Sequence, residues 1–177
     1  MKRAIQIVAV LAIIGLAVWG WIALHPSPEK AVRSRLNDLA KTLSFKGGSG
    51  SLAQAYNAEK ASEFFTPDVD VEVNLSGFEP LSIQGRDEVM GITMKARSRF
   101  TSLKVEFPDM NVTIDPDGQS AKVNLTGKAV VPGERDISAQ EFNFKLKKVN
   151  GKWLIYHVET VRTLSSLPPT EPAVRRG

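Results

Sequence analysis

The last third of the chain most limits what it can fold into. Between Thr101 and Arg162, apolar and polar residues alternate in four successive runs, the pattern of strands with one buried face. A phase shift at Pro108-Asp109 predicts a bulge within the first run. Turn signals separate the runs at Asp115-Pro116-Asp117-Gly118, Pro132-Gly133-Glu134 and Asn150-Gly151. We therefore expect a four-stranded antiparallel meander whose apolar face must be covered by the preceding chain.

The preceding chain predicts three helices and a short hairpin. Ser27 is placed to cap a first helix whose apolar residues recur at helical spacing, namely Val32, Leu36, Leu39 and Leu43. A second helix is predicted from Ser51 to Phe65, with its apolar side formed by Leu52, Ala55, Tyr56 and Phe64. Two short strands follow, at Val69–Leu75 and Leu81–Ile83. The third helix opens at Gly85, and its apolar face carries Val89, Ile92, Ala96 and Phe100.

The N-terminus predicts a membrane anchor. Residues 4–24 are apolar except for Gln6, and at ~1.5 Å per residue a helix of this length spans about 31 Å, enough for a bilayer core. Lys2 and Arg3 precede it, which orients the N-terminus towards the cytoplasm. The alternative is a signal peptide cleaved after Ala17. The expected organisation is a cytoplasmic stub (1–3), an anchor (4–24), a domain (25–163) and a disordered Pro-rich tail (164–177).

Composition argues against several classes of function. The net charge of +4 includes Lys2 and Arg3 beside the anchor, so the domain is too weakly basic for nucleic-acid binding. The chain has no cysteine and two histidines, so no disulfide, metal site or cofactor is expected.

Three blocks in the sequence resemble a known superfamily. They are Phe64-Phe65-Thr66-Pro67-Asp68-Val69-Asp70, Ile83-Gln84-Gly85-Arg86-Asp87-Glu88-Val89 and Asn150-Gly151-Lys152-Trp153-Leu154-Ile155. In this order they are similar to blocks of the nuclear transport factor 2-like superfamily, which includes ketosteroid isomerases, SnoaL-like cyclases, scytalone dehydratases and non-enzymatic modules. The resemblance implies an α+β fold: a strongly curved antiparallel sheet wrapped on three helices as a cone, here preceded by one transmembrane helix.

The candidate chemistry lies on the last predicted strand. Strict alternation places His157 and Glu159 on the same face as Trp153, so both enter the cone if Trp153 does, and a histidine beside a carboxylate suits a general base. The alternative is an exposed or hydrogen-bonded structural histidine. The expected ligand pocket is formed by Tyr56, Phe107, Met110, Trp153 and His157, whereas Asp70 and Glu72 are expected to face solvent.

The sequence favours binding over catalysis. We expect a single-pass protein of the bacterial inner membrane whose extracytoplasmic domain serves as a binding or assembly module. Its expected partners are other envelope proteins or a second copy of the chain. The alternative is a domain that holds a small apolar ligand, or a SnoaL or ketosteroid isomerase-like enzyme, using the cone interior.

Overall fold

A computed structural model describes residues 27–47, 50–74, 79–131 and 137–161. The helices are α1 (Pro28–Leu43), α2 (Ser51–Ser62) and α3 (Arg86–Arg99). The strands are β1 (Phe45–Lys46), β2 (Phe65–Val73), β3 (Leu81–Gln84), β4 (Ser102–Glu106), β5 (Met110–Ile114), β6 (Ser120–Val130), β7 (Ile137–Val149) and β8 (Lys152–Thr160).

The predicted anchor at 4–24 and the predicted tail at 164–177 both lie outside the described residues. Within the described ranges, no helix is long and apolar enough to cross a membrane. The anchor therefore stays a prediction from the sequence.

The strands form one eight-stranded sheet in the order β1-β4-β6-β7-β8-β2-β3, with β5 also paired to β6. Neighbouring strands are antiparallel except β2 and β8, which run parallel. The helices cover one side, called here the inner face, and the core lies between it and α1. Its largest fully buried side chains are Leu36, Leu39, Leu146, Ile155, Val32, Val69 and Val123. The predicted α+β architecture with a curled sheet on three helices is thus confirmed.

The first predicted strand of the meander is two strands, β4 and β5, both paired with β6. The register runs from Glu106 opposite Lys128 to Met110 opposite Leu125, so the bulged side has one residue more than its partner. The extra residue falls in the Phe107–Asp109 segment, where the phase shift was predicted. Pro108 has no backbone N–H to donate to the ladder, which is why the pairing lapses there.

Helix α1 has the predicted cap and buried stripe. The Ser27 hydroxyl accepts from the backbone N–H of Lys30, and Pro28 occupies the first turn, where its missing N–H costs nothing. Two arginines on the helix bind the sheet through main-chain carbonyls. Arg33 donates to the Met110 carbonyl at 2.6 Å, and Arg35 donates to the Trp153 carbonyl at 3.1 Å.

The predicted apolar side of the second helix is wrong at Leu52 and Tyr56. Leu52 is 85% exposed and Tyr56 is 58% exposed, whereas Ala58, Ala61 and Ser62 face the core. The helix ends at Ser62, so Phe64 is buried as part of the following turn. Because α3 packs closely against α2, small residues rather than large ones occupy the contact.

Candidate functional site

A bulge at Tyr156 decides where the candidate residues point. Ile155 pairs with Leu146, but His157 pairs with Lys145, so Tyr156 is an extra residue on β8. The alternation therefore reverses: Trp153, Ile155 and Val158 are buried on the inner face. His157 and Glu159 lie on the opposite, outer face. The expectation that they enter the cone with Trp153 is wrong because it assumed an unbroken period of two.

On the outer face His157 lies between two carboxylates. Its Nδ1 is 3.2 Å from Oδ2 of Asp70, and its Nε2 is 3.6 Å from Oε2 of Glu159. Asp70 reaches it because β2 and β8 are paired in parallel, with Asp70 directly beside His157. The imidazole side chain is only 18% exposed. Both ring nitrogens thus face carboxylate oxygens of neighbouring residues, and the contact with Asp70 joins β8 to β2.

A chain of amides continues the cluster. Asn124 on β6 donates to the side-chain oxygen of Asn143 on β7, and Asn143 donates to Oε1 of Glu159 at 3.2 Å. The three residues lie in one row, since Asn124 pairs with Asn143 and Asn143 with Glu159. The hydrogen bond from Asn143 is the main cause that lowers the pKa of Glu159 below its ordinary value.

This lowered pKa predicts an acid-sensitive contribution to stability. A carboxyl group with a depressed folded-state pKa stabilises the protein above its unfolded pKa, and the contribution is lost as the pH falls through the folded-state value. Replacing Asn143 with alanine should therefore make the free energy of unfolding fall less steeply below the ordinary value of 4.5. Because Glu159 is partly exposed, the difference should be about 0.3 kcal/mol. Denaturant titrations across this pH range measure it.

Asn111→Ala is the matched control, because Asn111 pairs with Asn124 in the same row but makes no contact with Glu159 among the hydrogen bonds described. If both substitutions changed the free energy of unfolding at acidic pH by the same amount, the role assigned to Asn143 would be wrong.

The cone interior is apolar. A cavity of about 200 Å³ lies between α1, α3 and the inner face. Phe107 and Phe144 contribute aromatic edges, and Thr93 is the one polar side chain among the described residues of its lining. The Thr93 hydroxyl already donates to the Val89 carbonyl at 2.8 Å, one turn earlier in the same helix. The described lining therefore offers no free acid, base or hydrogen-bond donor to a reacting group.

The predicted pocket residues are not brought together. Phe107 lines the interior cavity, whereas Trp153 is buried in the core away from it. Met110 packs at the edge of the core and lines an outer hollow beside Arg33. Tyr56 is on the exposed side of α2, and His157 is on the outer face. The prediction for Tyr56 is wrong because α2 buries its alanines instead. The prediction for His157 is wrong because of the bulge at Tyr156.

Two hollows on the outside border the outer-face cluster. One, of about 560 Å³, is lined by Glu72 and Glu159 among others, and a second, of about 730 Å³, extends to Met110 on β5. Asn143 and Val161 line both of them. Ionisable and amide groups therefore concentrate on the surface rather than inside the cone. Among the described residues, no group of three or more histidine and acidic side chains is arranged to hold a metal ion.

Local patterns in the sequence do not indicate the Asp70–His157 contact. The alternation on β2 does place Asp70 and Glu72 opposite the valines, and that part of the expectation agrees with the structure. What it misses is a parallel pairing between segments far apart in the chain. The one signal for this pairing was that two of the blocks that resemble the superfamily, around Val69 and Leu154, form the two paired strands.

The fold and its site define a class: an α+β cone of the nuclear transport factor 2-like type, with an apolar interior and a polar outer sheet face. The chain belongs to the SnoaL-like family, whose model matches residues 34–159. A search of curated proteins finds no match.

Solved structures show the same fold at low sequence identity. A candidate scytalone dehydratase from Novosphingobium aromaticivorans is 17% identical, with a TM-score of 0.55, covering 84% of this chain and 94% of that one. The yeast UBP3-associated protein BRE5 is 11% identical, with a TM-score of 0.56, covering 75% and 95%. A protein of unknown function from Mycobacterium tuberculosis is 19% identical, with a TM-score of 0.56, covering 81% and 80%.

Proposed function

We propose that this protein is a binding and assembly module of the bacterial envelope, held at the inner membrane by residues 4–24 with its SnoaL-like domain outside the cytoplasm. The proposal for the anchor comes from the apolar segment and from Lys2 and Arg3 before it. The proposal for binding rather than catalysis comes from the distribution of polar groups in the domain.

The single observation that carries this proposal is the apolar lining of the cone. General acid–base chemistry needs a titratable group within reach of the substrate. In the described interior, the only polar side chain is Thr93, and its hydroxyl is bound to its own helix. The cavity of about 200 Å³ is also below the ~300–1,000 Å³ typical of sites for drug-sized ligands, so it would hold only a small molecule.

The outer face has the properties of a docking surface for a protein partner. It presents carboxylates and lysines in neighbouring rows: Asp70 beside His157 and Lys145, then Glu72 beside Glu159. Mixed charge at fixed positions on a rigid sheet provides specificity and register more than raw affinity. The partner is another envelope protein or a second copy of the chain.

The alternative function is a small apolar ligand held in the cone, or a SnoaL-like enzyme that uses it. The observation that favours it is the same cavity, since a lining of Phe107, Phe144 and aliphatic side chains matches an apolar molecule. The family and the candidate scytalone dehydratase among its structural relatives make this the second possibility.

Two substitutions distinguish the functions. Lys145→Glu reverses a charge on the outer face, whereas Ile92→Phe fills the cone from α3. In native membranes, a crosslinker attached at one site on the outer face should join the protein to its partner. Lys145→Glu should abolish this crosslinked product, whereas Ile92→Phe should leave it unchanged. Loss of cellular function with Ile92→Phe but not with Lys145→Glu would instead favour the cone ligand.

Lys148→Glu is the matched control for charge reversal, because Lys148 lies on the same strand but pairs with Trp153 on the other face. In the same cells, alkaline phosphatase fused after Gly177 should be active if the domain lies outside the cytoplasm. An inactive fusion, or a mature chain lacking residues 1–17, would contradict the tethered arrangement.

A further inference from the structure

Arg97 near the end of α3 is a buried cation that pairs with no carboxylate of the described residues. Its residue surface is 6% exposed, and no ion pair among the described residues includes it. Among the described residues it makes one hydrogen bond, from Nη2 to the Thr42 carbonyl at 2.5 Å, at the C-terminal end of α1. The Nε atom is buried and has no hydrogen-bond partner in the part of the chain that the structure describes. A guanidinium has five N–H donors, and buried arginines are normally paired with an anion.

The pKa of Arg97 also indicates that its charge lacks a compensating anion. Desolvation lowers the pKa of Arg97, and no acid among the described residues offsets that shift. By contrast, burial also lowers the pKa of Arg35, but Asp38 and Glu63 raise it again. The charge on Arg97 is therefore left uncompensated within the described part of the domain. A negatively charged group from outside would complete its environment.

Arg97 borders a cavity with room for such a group. The cavity is about 220 Å³ and is separate from the cone interior. Phe45 and Phe100 supply aromatic walls, while Lys46 adds a second cation and Thr101 a hydroxyl. The Arg97 guanidinium carbon lies 4.8 Å from the centroid of the Phe45 ring, and none of the described hydrogen bonds uses its Nη1 group. No acidic side chain is found on the described lining.

We propose that this cavity, formed where α1 and α3 end, binds a small organic carboxylate. The carboxylate would accept from the Nη1 group of Arg97, with the Lys46 ammonium as a second positive contact. The two phenyl rings favour a ligand with an apolar body over inorganic phosphate. At ~30 Å³ per water molecule the cavity has the volume of about seven waters, which limits the ligand to roughly the size of benzoate. This site goes beyond the proposed partner binding on the outer face.

Benzoate is the probe for the test. The full chain, purified in detergent micelles, is titrated with benzoate at constant ionic strength, and signals of Phe45 and Thr101 are followed by NMR. Benzyl alcohol, its uncharged match, and inorganic phosphate are titrated in parallel. Benzoate should bind saturably and raise the melting temperature. Benzyl alcohol, which cannot accept a charge-assisted hydrogen bond, and phosphate, which has no apolar body to contact Phe45 and Phe100, should both bind at least about tenfold more weakly.

Variants assign the binding to this cavity. Arg97→Gln should weaken benzoate binding at least about tenfold, and Lys46→Gln about threefold, because Lys46 is exposed and screened. Arg99→Gln, an exposed arginine in the same helical turn, should leave binding unchanged. If Arg97→Gln does not fold, the contrast between Lys46→Gln and Arg99→Gln decides the question. Absent or non-saturable binding, tighter binding of phosphate, or equal effects of Lys46→Gln and Arg99→Gln would overturn the proposal.

Discussion

Replacing Phe144 with alanine is expected to lower the free energy of unfolding by about 3–5 kcal/mol, the usual cost of removing a buried aromatic ring. Phe144 is 7% exposed at the centre of β7, and it makes edge-to-face contacts with Phe107 at 6.1 Å and Phe142 at 6.2 Å between ring centroids. It also borders the interior cavity, so truncation enlarges a void that the neighbouring strands cannot close. Denaturant unfolding monitored by circular dichroism measures the loss.

Leu52→Ala is the matched control for this measurement. Leu52 is also a large apolar residue, but it is 85% exposed on α2, so its truncation should change stability by less than about 0.5 kcal/mol. A loss at Leu52 as large as that at Phe144 would show that the helix buries Leu52 and that α2 is rotated relative to the structure.

Deleting Tyr156 is expected to prevent folding. Without the extra residue, β8 regains an unbroken alternation, so either His157 and Glu159 turn into the core or Trp153 and Ile155 turn out of it. Burying an uncompensated charge costs several kcal/mol, and exposing two core side chains costs a similar amount. Either cost is a large part of a total stability of about 5–15 kcal/mol. The expected product is an aggregated or protease-sensitive chain, measured by limited proteolysis and circular dichroism.

Tyr156→Ala distinguishes the effect of the bulge from the effect of the tyrosine ring. It retains the residue count and removes only the side chain, whose ring lies 5.6 Å from the Lys147 ammonium. The expected loss is about 1 kcal/mol or less. A deletion that folds as stably as this substitution would mean that β8 does not depend on the bulge for its register.

Much of the fold was predictable because its signals are local. The capped helix at Pro28–Leu43, the alternation along β6 and β7, and the extra residue near Pro108 are each encoded within about ten neighbouring residues. The second helix was harder, since an amphipathic pattern does not reveal which side meets a neighbour. There the close packing of α3 selected Ala58 and Ala61 over Leu52.

The candidate site was not predictable in the same way. The bulge at Tyr156 has no glycine or proline to mark it, and one unmarked residue moves His157 and Glu159 from the inner to the outer face. The partner Asp70 is brought to His157 by a parallel pairing across more than eighty residues of chain. Neither effect follows from periodicity, because both depend on how two distant strands align.

The sequence by itself determined the class of fold, the family to which the chain belongs and the residues able to form the two faces of the sheet. Side-chain burial imposes these patterns residue by residue, so they can be read without knowing what packs on what. Only the tertiary structure decided which polar groups meet: His157 with Asp70 on the outer face, and Arg97 with Phe45 at the end of α3. The physical reason is that electrostatic and hydrogen-bonding contacts act over a few ångströms, and strand register and helix packing set those distances across the whole domain.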